Sequence, residues 1–332
     1  MKKKGLNRQQ LSRIHQRQAG HARDAVDPTA DVNGPERQGR VLSHYGQQLD
    51  IECTAGEDVG TVYRCFQRSN LEPLVTGDNV VFRAGNPAGI VLALLPRRAL
   101  LSRPNKLGEL KPVAANVDRL LLVLAPQPEP HANLIDRYLV AAEYSNLQPA
   151  LVLNKCDLFP SLDPAPLRAL LAVYSGIGYP VLEVSSHTGA GLDTLRAILA
   201  QHTSIFVGQS GVGKSALVNS LLPGVNTLVG SLSAAALKGR HTTTAARLFH
   251  FPDGGDLIDS PGIREFGLGH IPADALLAGF VEFRNYTDRC RFRDCRHEHE
   301  PGCQLLAAVH EGAIDPRRLA SYRLLRDNLT RP

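Results

Sequence analysis

Eight residues, Gly208-Gln209-Ser210-Gly211-Val212-Gly213-Lys214-Ser215, have the types and spacing of a loop that cradles phosphate. The glycines let the backbone turn so that consecutive N–H groups point at phosphate oxygens. Lys214 supplies a point charge toward the β and γ phosphates, and the Ser215 hydroxyl is placed to ligate Mg²⁺. The flanks agree with that chemistry. Ser204 to Val207 predicts a strand before the loop. Ala216, Leu217, Val218, Leu221 and Leu222 predict a helix after it, with its N-terminus toward the anion. A merely structural glycine turn would not need Lys and Ser at those two positions.

The base that accompanies the phosphates is indicated by Asn154-Lys155-Cys156-Asp157, which follows the apolar run Ala150 to Leu153. The Asp157 carboxylate can accept from N1–H and the exocyclic amine of guanine. Adenine would leave that carboxylate unpaired, at about 1–3 kcal/mol for each unsatisfied group. Asn154 can brace the loop, and the Lys155 stem can lie over the ring. Ser185-Ser186-His187, after the strand expected over Val181 to Val184, suits the loop that closes a guanine pocket. In Asp259-Ser260-Pro261-Gly262, Asp259 can hold Mg²⁺ through water and the Gly262 amide can meet the γ-phosphate. Within Gly239-Arg240-His241-Thr242-Thr243-Thr244, one threonine can ligate Mg²⁺ when nucleotide orders the loop, Thr243 being the candidate. GTPases ordinarily run phosphate loop, two switches, guanine motif, closing loop. Here the guanine motif and closing loop come first, which is a circular permutation.

A second cluster lies near the C-terminus: Cys290, Cys295, His297, His299 and Cys303. Three thiolates and an imidazole suit a closed, tetrahedral, structural Zn²⁺ site that folds a segment too short to fold unaided. Arg289, Arg291, Arg293 and Arg296 surround it, and Arg317, Arg318, Arg323 and Arg326 lie on a basic helix expected from Pro316 onward. Contact with phosphate is the expectation for these arginines, solvated charge the alternative.

The elements that must position these residues fall into four stretches. Residues 1–36 read as a basic, disordered arm. Residues 37–110 hold five short β-like runs (Arg40–His44, Leu49–Cys53, Gly60–Gln67, Asn79–Arg83, Gly89–Leu95) separated by turn residues, an all-β, OB-like or SH3-like barrel. Residues 111–278 alternate apolar strands with amphipathic helices, an α/β P-loop domain of doubly wound type. Residues 279–332 form the Cys/His segment and the basic helix.

Composition sets the outer limits. The chain has 332 residues, 43% hydrophobic and 21% charged, enough for more than one buried core. Its longest apolar runs fall short of the roughly 18 residues of a membrane span, and the start has no apolar signal region, so a soluble chain in a reducing cytoplasm is expected. Cys53, Cys65 and Cys156 are scattered in apolar contexts, as buried thiols are. Net charge is +5, and residues 1–40 hold nine Lys/Arg against four acids. Such an arm attracts a polyanion by counterion release. A solubility tail is the other reading, and three Asp and one Ser in the first 31 residues weigh against a transit peptide.

The permuted order, the small barrel and the Cys/His tail together resemble the RsgA family of ribosome small-subunit-dependent GTPases, over roughly residues 38–325. Ala115-Asn116-Val117-Asp118, Leu134-Ile135-Asp136-Arg137-Tyr138, Arg240 to Thr244 and Asp259 to Gly267 look like that family's pattern. The resemblance implies a monomeric GTPase that binds the small ribosomal subunit and its rRNA late in maturation, with GTP, GDP and Mg²⁺, and leaves upon hydrolysis. It also implies His297 rather than His299 as the fourth zinc ligand. One departure is Ala216, where the family often has Ser. Where many GTPases orient water with Gln, this chain has Ile263, so slow intrinsic hydrolysis is expected. The missing group would come from another residue, His241 being the internal candidate, or from the partner; His241 as a loop residue facing RNA or solvent is the alternative. Two rivals follow: a GTP-gated RNA-binding module with negligible turnover, and a P-loop ATPase, which Asp157 disfavours.

Overall fold

The computed structural model describes residues 34–104, 109–222, 246–259 and 271–329. Residues 1–33 of the expected arm, His241, Thr242 to Thr244, Gly262 and Ile263 lie outside the described residues.

The first five strands are β1 (Glu36–Tyr45), β2 (Gln48–Cys53), β3 (Val62–Gln67), β4 (Asn79–Arg83) and β5 (Gly89–Leu94). Alternation of side chains decides their faces: Val41, Leu49, Ile51, Cys53, Cys65, Val80, Phe82 and Val91 point inward and form one core. β1 pairs with both β2 and β4, β2 with β3, β3 in parallel with β5, and β5 with β4, so the strands close into a barrel of OB-like order. Gly39 sits where β1 meets both neighbours. A Cβ there would lie 2.5 Å from Ile51 and 2.7 Å from Phe82.

A hairpin follows that the sequence did not announce, β6 (Leu100–Pro104) with β7 (Leu110–Ala115). Pro112 inside β7 hides it, because proline within a run argues against a strand.

The α/β domain comprises β8 (Arg119–Leu124), α1 (Ala132–Tyr144), β9 (Gln148–Leu153), α2 (Ala165–Ile177), β10 (Val181–Glu183), α3 (Leu192–Leu199), β11 (Thr203–Val207), α4 (Lys214–Leu221), β12 (Arg247–His250) and β13 (Asp256–Asp259). The order across the sheet is β10-β9-β8-β11-β13-β12, all parallel except β12. Successive residues of β8 serve opposite faces. Leu120, Leu122 and Leu124 pack toward α1 and α2, whereas Leu121 and Val123 pack toward α3 and α4. This two-sided burial is why the strand reads as a continuous apolar run.

The C-terminal part contains α5 (Ala273–Ala278), two 3-10 turns, α6 (Gln304–His310) and α7 (Pro316–Leu329). Its core is continuous with that of the α/β domain on the α1 side: Phe280 and Phe283 stack at 4.9 Å, and Tyr322 meets both edge-on. The expectation that the α7 arginines face phosphate is overturned for most of them. Arg318 is 1% exposed; it donates to Asp136 on α1 and to both oxygens of Glu282 at 2.6 and 2.9 Å, and lies 4.5 Å over the Phe280 ring. Arg323 donates to the carbonyls of His297 and Glu298, and Arg326 to the Arg296 carbonyl and the Glu298 carboxylate. Arg317 pairs with Asp315. These charges hold the C-terminal part together because carbonyls and carboxylates lie within their reach.

Burial pushes the Asp136 carboxyl pKa up, and Arg318 opposes it. Replacing Arg318 with Met should therefore destabilise the chain by about 3–5 kcal/mol, since one buried charge loses its partner. Urea unfolding of both proteins measures this; an unchanged midpoint would mean that the network contributes nothing.

Candidate nucleotide site and metal centre

The phosphate loop joins β11 to α4, in the middle of the sheet. Gly208 has φ +134°, and a Cβ on it would lie 2.3 Å from the Val123 carbonyl oxygen. Gly213, at φ +95°, caps α4, and a Cβ on it would lie 2.3 Å from the Asn154 amide nitrogen. These positions require glycine for space as well as for backbone conformation. Lys214 Nζ reaches back across the loop to the carbonyls of Gly208 and Gln209, each at 2.7 Å. Val212 is buried, whereas Ser210, Gly211, Ser215 and Ala216 are exposed along the rim.

The residues of the expected guanine motif stand beside this loop and brace it. The fully buried Asn154 donates to the Val212 carbonyl at 3.0 Å and accepts from the Ser186 amide at 3.0 Å. Lys155, in the left-handed region at φ +63°, donates to Gly211 at 2.5 Å and to Gln127 at 3.2 Å. Asp157 accepts a 2.5 Å hydrogen bond from the Ser185 hydroxyl, which in turn accepts from the amides of His187 and Thr188. That hydroxyl is the main cause of the lowered Asp157 pKa, so the carboxylate stays ionised as an acceptor. The Cys156 thiol turns away to the Leu153 carbonyl.

Asp259 ends β13 next to the loop. Burial raises its carboxyl pKa, and the nearby Lys214 ammonium opposes the rise. The structure thus brings together Asn154 to Asp157, Ser185, Ser186, Gly208 to Ala216 and Asp259; the remaining expected residues, Thr243, His241 and Gly262, lie outside the described residues.

Two supporting residues had no signal in the sequence reading. Gln127 offers its carbonyl to Lys155, and Ser220 links α4 to Ser186. Asn116 joins the Arg98 amide to the Gly77 carbonyl at the root of the hairpin. Asp118, its neighbour in the quoted pattern, accepts from the Thr203 amide and so ties β8 to β11.

In the C-terminal part, one ligand atom each from Cys290, Cys295, His297 and Cys303 falls within 4.8 Å of the others. His297 Nδ1 is 3.7 Å from Cys290 Sγ and 3.4 Å from Cys303 Sγ. A tetrahedral ion with Zn–S of about 2.3 Å and Zn–N of about 2.05 Å gives S···N edges of about 3.6 Å, so the donor set fits a closed site of that size. Burial holds the imidazole pKa below its usual value, in the neutral form that ligates metal. His299 is 88% exposed and outside the cluster.

The sheet order, with guanine-motif strand, phosphate loop and Asp259 strand following one another in permuted sequence, defines a circularly permuted P-loop GTPase. Comparison with known proteins agrees. The family model described as RsgA GTPase matches residues 94–269. The chain is 60% identical over 300 residues to the small ribosomal subunit biogenesis GTPase RsgA of Azotobacter vinelandii, covering 90% of this chain and 88% of that one. It is 56% identical to the protein of that name from Ectopseudomonas mendocina, over 97% of each. Among solved structures, YjeQ from Thermotoga maritima superposes with a TM-score of 0.73 at 33% identity, over 90% of this chain and 100% of that one. YloQ, a circularly permuted GTPase, superposes at 0.69 and 28%, over 90% and 97%. This chain belongs to the RsgA GTPase family.

Replacing Asn154 with Ala strands the buried Val212 carbonyl and the half-buried Ser186 amide, at about 1–3 kcal/mol for a buried group. Titration with a fluorescent GDP analogue should show affinity falling at least tenfold, which is about 1.4 kcal/mol. Unchanged affinity would show that the phosphate loop keeps its shape without the brace.

Proposed function

We propose that this chain hydrolyses GTP to GDP and phosphate while bound to the small ribosomal subunit and its rRNA, late in that subunit's maturation. One observation carries the guanine assignment. Asp157 is an ionised acceptor held by Ser185, on the same loop whose Asn154 and Lys155 clamp the phosphate loop. Base and phosphate recognition are therefore one rigid assembly. In this reading the amides of Gly208 to Ser215 and the Lys214 ammonium hold the phosphates. Ser215, Asp259 and Thr243 would hold Mg²⁺, which neutralises charge on the β and γ oxygens. The cysteines with His297 would hold a structural Zn²⁺.

The relatives' name supplies the partner: a small ribosomal subunit biogenesis GTPase. Surface chemistry supports RNA contact at the metal knob, where Arg289, Arg291 and Arg293 are exposed and Arg291 lies 5.5 Å over the half-exposed Phe292 ring. No helix among the described residues is long and apolar enough to cross a membrane. Of the four expected stretches, the barrel and the knob are the parts that grip RNA. Ile263 in place of a water-orienting Gln implies that His241 or the subunit completes the catalytic set.

The test is GTP turnover with small subunits, with large subunits and with neither. Stimulation by small subunits alone supports the function; tight GTP binding without stimulation would instead make the chain a GTP-gated RNA-binding switch. A second measurement addresses the base. Asp157→Asn should weaken GTP binding and strengthen xanthosine triphosphate binding, because the new amide donates to the 2-oxo group; an unaltered preference would overturn the pocket. For the metal, elemental analysis should return one zinc per chain. Chelation should then lower the melting temperature, and a chain free of zinc with an unchanged melting temperature would refute the site.

A further inference from the structure

Strands β12 and β13 form a short hairpin. Its open end holds Arg247 opposite Asp259, and its turn runs through Gly254 and Gly255. Only three residue pairs join β13 to β11, and on its outer side β12 would be a bare four-residue edge. Hairpins this short are marginal alone, and their register slips unless something fixes it.

The barrel supplies what fixes it. At the end near the nucleotide site, the buried Thr76 hydroxyl donates to the Ala246 carbonyl at 3.0 Å. One residue further along, Ser43 of β1 pairs with Arg247. At the far end four charges alternate across the seam. Glu52 of β2 meets His250 Nε2 at 2.9 Å, His250 Nδ1 meets Asp256 at 2.6 Å, and Arg40 of β1 donates to Asp256 and, at 2.7 Å, to the Thr203 hydroxyl. Each partner is of opposite sign to the next, and the hydrogen bond to Asp256 raises the His250 pKa so that it keeps its proton to higher pH. All these groups lie on the barrel, on the hairpin or at the start of β11, and none touches the phosphate loop.

We propose that Arg40, Glu52 and Thr76 of the barrel are positioning residues for GTP hydrolysis, holding the β12–β13 hairpin in the register that places Asp259 beside the phosphate loop. This deepens the proposed function and rests on it. GDP is gripped by β8, β9 and β11 and their loops, which the clasp reaches only through the hydrogen bond from Arg40 to Thr203, at the end of β11 away from the phosphate loop. GTP turnover additionally needs Asp259 in place. Loosening the clasp therefore separates the two: kcat falls while GDP affinity holds.

The experiment uses the full chain, with Arg40→Ala and Glu52→Gln at the far end and Thr76→Val at the near end. Thr76→Val keeps side-chain volume, so it reports even if Arg40→Ala fails to fold. Intrinsic turnover at saturating GTP and the dissociation constant for GDP are measured in the absence of ribosomal subunits, so that any role of the barrel in docking drops out. The expected result is at least a fivefold fall in kcat, with GDP affinity within twofold of the parent chain. The parent chain's own turnover in the same assay reports on the proposed function, so failure there is distinct from failure of the clasp. Variants that turn over GTP like the parent, or that lose GDP affinity in parallel with kcat, overturn the inference.

Discussion

The side-chain amide of Asn154 is the interaction on which the site depends. It is fully buried, and both of its ends are committed, one to the Val212 carbonyl and one to the Ser186 amide. Three loops that leave three different strands thus share one planar group. A buried amide costs free energy unless both ends are paired, so each loop fixes the others. The glycine at 213 follows from the same constraint, because the Asn154 amide already occupies the space that a Cβ would take. Lys155 repeats the arrangement from the next position, through Gly211 and Gln127. In the proposed function, selectivity for the base and cradling of the phosphate are consequently properties of one unit.

Much of this was legible in the sequence, for identifiable reasons. Strands buried on both faces leave continuous apolar runs, so β11, expected over Ser204 to Val207, could be read within one residue of its start. Asn79 to Arg83 was read in full. The motifs sat at the carboxyl ends of those strands because parallel sheets place their loops there. The hairpin β6–β7 was illegible because Pro112 breaks its pattern. The arginines of α7 were misread because charge says nothing about direction. A signal did exist. Arg318 shares the spacing of Tyr322 and Leu325, which puts it on the buried face, but its partner Asp136 is 182 positions away and nothing local points to it.

The permuted order also suggests that the C-terminal part follows whatever comes after Asp259 in the chain. Packing adds a second attachment. α7 is fixed to α1 by Arg318, Asp136 and Glu282 and by the ring cluster of Phe280, Phe283 and Tyr322, on the guanine side of the sheet. The barrel, by contrast, is attached to β12 and β13. The two flanking parts are therefore held by opposite halves of the α/β domain. A change in the relation between those halves would move barrel and metal knob relative to each other.

The buried guanidinium of Arg318 has a bearing on inheritance. Parts that are exchanged between proteins bring their own counter-charges with them, whereas here Asp136 and Arg318 belong to parts that topology would separate. A hybrid that took its tail from one ancestor and its central domain from another would need both residues, and the aromatic rings around them, to arrive together. Arg40 and Asp256 set the same condition across the other seam. The chain can be drawn as separate pieces, but an exchange of pieces has to carry both members of these pairs with it.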